Sequence, residues 1–111
     1  MYFTMVYCYK SDERGNYDDT NDLVARLIVS GAHDEQSLVG SGHVEELLKD
    51  VEGRVLDGSH YVFEAYVLDF KNPPSEDENV LLEMLKSDDG DLIDSGDIEI
   101  IDSFDFRAKL V

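Results

Sequence analysis

The run Ser59-His60-Tyr61-Val62-Phe63-Glu64-Ala65-Tyr66-Val67-Leu68-Asp69-Phe70 decides how the rest of the chain is read. In an extended backbone Tyr61, Phe63, Ala65 and Val67 share one face, and Val62, Glu64, Tyr66, Leu68 and Phe70 share the other. Both faces are apolar, so the run is a strand with cover on each side. Glu64 is the one charge set among apolar neighbours, which predicts either an edge position or a partner for its carboxylate. Upstream, Arg54-Val55-Leu56 is joined to this run through Asp57-Gly58, a dipeptide that takes the positive φ values of a type I′ turn. A short strand is therefore expected to pair with the long one as a hairpin.

Outward from that run, Tyr2 to Tyr9 has the same two-sided character. Phe3, Met5, Tyr7 and Tyr9 alternate with Tyr2, Thr4, Val6 and Cys8, which predicts a central strand. Lys10 to Thr20 is polar, contains Gly15-Asn16 and reads as a loop. Asp19 or Thr20 is placed to cap a helix from about Asn21, with Leu23, Val24, Leu27 and Ile28 on one face and Gly31 as its stop. Ala32 to Gly40 reads as a connection. Beyond Ser41-Gly42, Val44, Leu47, Leu48 and Val51 form an amphipathic helix closed by Gly53. Pro73-Pro74 ends the long strand, and Ser75-Glu76-Asp77-Glu78 matches a capping box for a helix to about Lys86, burying Val80, Leu81, Met84 and Leu85. Ile98, Ile100, Phe104 and Phe106 mark a last strand with a bulge near Ile101. The expected fold is α+β: one small domain, with a mixed or antiparallel sheet packed with about three helices in the order β-α-α-β-β-α-β.

Composition sets the bounds on function. A chain of 111 residues that is 42% hydrophobic has enough apolar surface for one core, burying roughly 65% of its unfolded surface. Its 26 acidic residues against 9 basic ones give a net charge of −17, which argues against nucleic acid or anionic lipid as a direct partner. The single cysteine, Cys8, lies in an apolar run and reads as a buried thiol in a reducing compartment. The N-terminal run lacks the basic start and cleavage site of a signal peptide. No stretch reaches the roughly 20 apolar residues of a membrane span. A cytoplasmic protein is expected.

Catalytic and metal motifs are weak throughout. His33, His43 and His60 fall in separate settings; His43 and Glu46 share a helix face at i, i+3 but need further ligands to hold a metal. Cys8 has no electropositive surroundings to activate it. Gly40-Ser41-Gly42 lacks the lysine of a phosphate loop and precedes Glu45 and Glu46, so helix capping explains it better than anion binding. Counting a calcium loop from Asp88 puts Glu99 at its twelfth position but Gly90, Leu92 and Ile93 where carboxylates and glycine are needed. No catalytic residue, metal or cofactor is assigned, and a binding protein is expected in place of an enzyme.

The distribution of charge is the main clue. Between Ser75 and Asp105 twelve carboxylates face the single Lys86, a net −11. Carboxylates two apart on a strand stand about 6.8 Å apart, on the scale of successive phosphates along a nucleic-acid strand. The expected function is an inhibitor or modulator that occupies the basic nucleic-acid-binding surface of a partner protein, a nuclease or a defence-complex subunit, by mimicking DNA or RNA. In composition, though in no motif, the chain resembles the small phage-encoded anti-restriction and anti-CRISPR proteins. The expected contact residues are Glu76, Asp77, Glu78, Asp88, Asp89, Asp91, Asp94, Asp97 and Glu99, with Glu45, Glu46 and Asp50 extending the surface. The alternatives are an acidic surface adapted to concentrated salt, or a small enzyme with an unrecognised site.

Overall fold

A strand that is apolar on both faces needs neighbours on both edges and cover above and below, and Tyr2–Ser11 (β1) has all four. The computed structural model describes residues 1–18, 20–44, 47, 60–87 and 96–109. Among them β1 is followed by β2 (Leu23–Ser30), α1 (Glu35–Gly40), β3 (His60–Phe70), α2 (Glu78–Ser87) and β4 (Ile98–Lys109). The four strands form one sheet in the order β2-β1-β3-β4, and every adjacent pair is antiparallel. The α+β class holds, with two helices among the described residues in place of about three.

Leu23–Ser30 is a strand and not the expected helix. Its apolar residues fit both periods, because Leu23, Val24, Leu27 and Ile28 line a helix face while Ala25, Leu27 and Val29 also alternate. Tertiary structure decides between them: β1 has an open edge, and β-branched Val24, Ile28 and Val29 suit a pleated surface. The polar loop before it is built from aspartate-centred turns. Asp12 Oδ1 accepts from the Arg14 and Asn16 amides at 2.9 Å each, and Asp18 Oδ1 accepts from the Thr20 amide at 2.8 Å. Thr20 thus belongs to a turn and caps no helix; Asp19 lies outside the described residues.

Further along, the expected connection contains α1. Asp34 caps it, its Oδ1 accepting from the Ser37 amide at 2.7 Å, and Ser41 closes it, donating its amide to the Ser37 carbonyl. Ser41 therefore ends one helix; it does not begin the next. Most of the helix expected from Ser41 to Gly53, together with the Arg54–Leu56 strand and the Asp57-Gly58 turn, lies outside the described residues. The long strand β3 pairs with β1 on one side and β4 on the other. At α2 the cap shifts two residues from the expected Ser75 to Asp77, which accepts from Asn79 through Oδ1 at 3.0 Å and from Leu81 through its carbonyl at 3.2 Å. Ser75 Oγ instead accepts from the Asp77 amide at 3.0 Å.

Two clusters of buried side chains sit on opposite faces of the sheet. Val6, Cys8, Tyr61, Phe63, Ala65 and Phe106 pack with Leu38 of α1 and with Val44 and Leu47. On the other face Phe3, Ile28, Leu68, Phe70 and Ile98 pack under Leu81 and Leu85 of α2. The alternation expected of β1 and β3 is the alternation observed. The bulge expected near Ile101 is also present: Val67 pairs with Asp102 and Leu68 with Ile100, leaving Ile101 as the extra residue.

Phe63 is fully buried, stacked on Phe106 at 5.0 Å, so Phe63→Ala is expected to cost about 3–5 kcal/mol, read from the denaturant midpoint. A loss below about 1 kcal/mol, the range of surface substitutions, contradicts that packing. Burial also pushes the Cys8 thiol up to about 12. An aromatic disulfide reagent at mildly alkaline pH is expected to leave Cys8 unmodified in the native protein and to label it fully in denaturant; fast native labelling contradicts the burial.

Candidate functional site

The register of the ladders puts Arg26, Tyr7, Glu64 and Asp105 in one row across all four strands, on the face that α2 partly covers. Ile28, Met5, Tyr66 and Ser103 form the next row. Toward one end of this face, α2 seals Phe3, Leu68 and Phe70. Toward the other, the Asp12–Asp22 loop folds over it: Tyr17 stacks on Tyr9 at 4.7 Å and 26°, and Arg107 Nη2 donates to the Arg14 carbonyl at 2.6 Å. Gly15 is required at the point of contact. It has φ +84°, and a Cβ there would come within 2.5 Å of the Arg107 guanidinium. Arg26 secures the opposite margin by donating Nη2 to the carbonyl of Lys86 at the end of α2. Between α2 and the loop the Glu64 row stays open, with Tyr7, Glu64 and Tyr66 half-buried and Ser103 and Asp105 exposed.

Glu64 is thus on an inner strand, and its carboxylate has phenolic partners. Tyr66 donates to Glu64 Oε1 at 3.4 Å, and the Glu64 carboxylate also acts on the phenols of Tyr9 and Tyr17. Tyr7 meets Tyr66 edge to face at 5.9 Å and 78°, and donates its hydroxyl to Met5 Sδ at 3.3 Å. Four of the six tyrosines therefore surround one carboxylate. Burial and the charge of Glu64 raise the Tyr9 phenol above its ordinary value, and the same causes raise Tyr17. Sequence reasoning singled out Glu64 but missed the tyrosines, whose signal was their place beside it: Tyr66 two residues away, Tyr7 and Tyr9 alternating on the neighbouring central strand.

Five of the acidic residues expected to contact a partner are described, and they gather at one end of the sheet. Glu76, Asp77 and Glu78 lead into α2 just after β3 ends; Asp97 and Glu99 stand where β4 begins, opposite the end of β3 in the Phe70–Ile98 pair. Lys71, just past the end of β3, holds the second stretch, donating its amide to the Asp97 carbonyl at 2.9 Å and placing Nζ 2.5 Å from Glu99 Oε2. Farther along the outer strand β4, exposed Asp102 lies on the Val67 face of the sheet and exposed Asp105 on the Glu64 face. Glu45, Glu46, Asp50, Asp88, Asp89, Asp91 and Asp94 lie outside the described residues.

Other candidate chemistry resolves into structure. His33 and His43 meet edge to face at 5.6 Å, although sequence placed them in separate settings. The Ser30 carbonyl, 2.8 Å from His33 Nε2, only accepts, so Nε2 carries the proton; Nδ1 lies 2.7 Å from Ser37 Oγ. Among the described residues no group of three or more His, Cys, Asp or Glu side chains is placed to hold a metal.

Raised phenols set an alkaline limit. Tyr9 and Tyr17 hold their protons longer in the native chain than in the unfolded one, so their contribution to stability is intact below the unfolded value of about 10 and is lost as pH rises through the raised native values. Phenolate absorbance of the native protein is expected to show a late-titrating fraction that Glu64→Gln shifts to lower pH. Uniform titration of all six tyrosines near the ordinary value contradicts the arrangement. No protein-family model matches the chain, and neither a curated protein nor a solved structure matches it, so its function is read from its own surface.

Proposed function

We propose that this protein is an acidic inhibitor or modulator that binds the basic nucleic-acid-binding surface of a partner protein, presenting carboxylates where that partner takes phosphates. The observation that supports this reading most directly is the placement of Glu76, Asp77, Glu78, Asp97 and Glu99 at the end of the sheet where β3 ends and β4 begins. Carboxylates fixed on strand and helix ends lose little freedom on binding, and charge-assisted hydrogen bonds to arginine and lysine are the strongest of the ordinary ones. A net charge of −17 adds long-range steering toward a cationic groove. The proposed partner is a nuclease or a subunit of a restriction or CRISPR complex, and the proposed setting is the cytoplasm. Among the described residues no helix is long and apolar enough to cross a membrane. No catalytic step is proposed.

The test is capture from host lysate at low salt, with the bound proteins identified by mass spectrometry. Recovery of a basic nucleic-acid-binding protein is expected. It should be lost at about 1 M salt, where the screening length falls to ~3 Å. It should also be lost when Glu76, Asp77, Glu78, Asp97 and Glu99 are changed together to their amides. Asparagine caps a helix as well as aspartate does, so the Asp77→Asn component spares α2. Capture that resists both changes, or recovery of no basic partner, overturns the proposal. A chain that folds only in concentrated salt assigns the acidity to solvation instead.

A further inference from the structure

We infer that the open row on the sheet face, Tyr7, Glu64 and Asp105 with Tyr66 beside it, binds an arginine side chain of a partner protein, its guanidinium held between the two carboxylates. The inference builds on the proposed function by naming the residue that a cationic partner inserts, at a place separate from the acidic end of the sheet.

Glu64 and Asp105 are directly paired across β3 and β4 and point to the same face. Side chains so placed have Cβ atoms about 4.5–5.5 Å apart, and two like charges at that range destabilise a sheet. Neither arginine described on this face forms an ion pair with them: Arg26 donates to the Lys86 carbonyl and Arg107 to the Arg14 carbonyl. An incoming cation relieves them. The carboxylates border a surface depression that Tyr66 and Ser103 also line.

Arginine fits this row better than other cations. Its planar group stacks on tyrosine, and its fork of donors reaches two carboxylates at once, whereas a lysine ammonium is a compact point charge. A metal ion lacks a third ligand among the described residues. The row is also prepared in advance: the Tyr66 hydroxyl already orients Glu64, and Tyr7 and Tyr66 brace each other edge to face, so less freedom remains to be lost on binding.

The probe is the peptide acetyl-Gly-Arg-Gly-amide, followed by amide chemical shifts of the full chain, with the citrulline and lysine peptides as comparisons. Shifts are expected to centre on Tyr7, Glu64, Tyr66, Ser103 and Asp105. Binding should weaken about tenfold for Asp105→Asn or for the uncharged citrulline peptide, the scale of a lost charge-assisted hydrogen bond. Lysine should bind more weakly than arginine. Glu64→Gln should weaken binding likewise; because it also disturbs the tyrosines, Asp105→Asn on the exposed outer strand decides if that variant misfolds. Shifts spread evenly over the acidic residues, citrulline binding equal to arginine binding, or an unaffected Asp105→Asn overturn the inference. Amide changes at Glu76, Asp77 and Glu78 should leave peptide binding intact. If those changes abolish partner capture while Asp105→Asn leaves peptide binding unchanged, the proposed function stands and this inference alone fails.

Discussion

A carboxylate on an inner strand can reach water only through the face of the sheet, and Glu64 occupies such a strand. Covering it completely would leave a charge in an apolar interior at a cost of several kcal/mol or force it to take up a proton. The layout of that face follows this constraint. α2 covers the Phe3, Leu68 and Phe70 end and stops short of the Glu64 row, the loop closes the opposite end, and tyrosines fill the space between with groups that are apolar in body and polar at the tip. On the opposite face Phe63, Ala65 and Cys8 are sealed at zero exposure, and the inner-strand charges described there, Lys10 and Asp69, sit at the strand ends.

Much of this was legible from residue order alone. The two-sided character of Tyr2–Tyr9 and His60–Phe70, the strand break at Pro73-Pro74 and the bulge at Ile101 all follow from local pattern, because each is enforced by burial on known faces. Leu23–Ser30 was not legible. Its apolar spacing suits helix and strand alike, and the choice is made by the free edge of β1, which a local reading does not see. α1 is not legible either, because a six-residue helix with one buried side chain, Leu38, leaves almost no periodic signal. The site divides in the same way: Glu64 stood out as a lone charge, but its phenolic shell depends on the register between β1 and β3 and on a loop that brings Tyr17 back over Tyr9.

The outer strand β4 shows how a heavy acidic load and a stable sheet coexist. Among the described residues its outer edge has no partner strand, which would invite pairing with another chain, yet Glu99, Asp102 and Asp105 are exposed along it and the extra residue at Ile101 breaks its regularity. Charges and bulges are the usual means of blunting an edge. Glu99 and Asp105, proposed above to meet cationic groups of a partner, thus also lie where a second strand would have to pair.

The two core clusters are assembled across the chain, with consequences for how the fold comes apart. Val6 and Cys8 from the first hairpin share one cluster with Phe63 and Phe106 from the second half, and Phe3 and Ile28 share the other with Leu68, Leu81 and Ile98. Neither the β1–β2 hairpin nor the β3–α2–β4 segment completes a core of its own. The ladder that unites them pairs Tyr2 with Asp69, the ends of a long loop whose closure entropy is spent before any of that burial is gained. Among the described residues, therefore, both faces of the sheet draw on both halves of the chain, and strain in either half is felt on both faces.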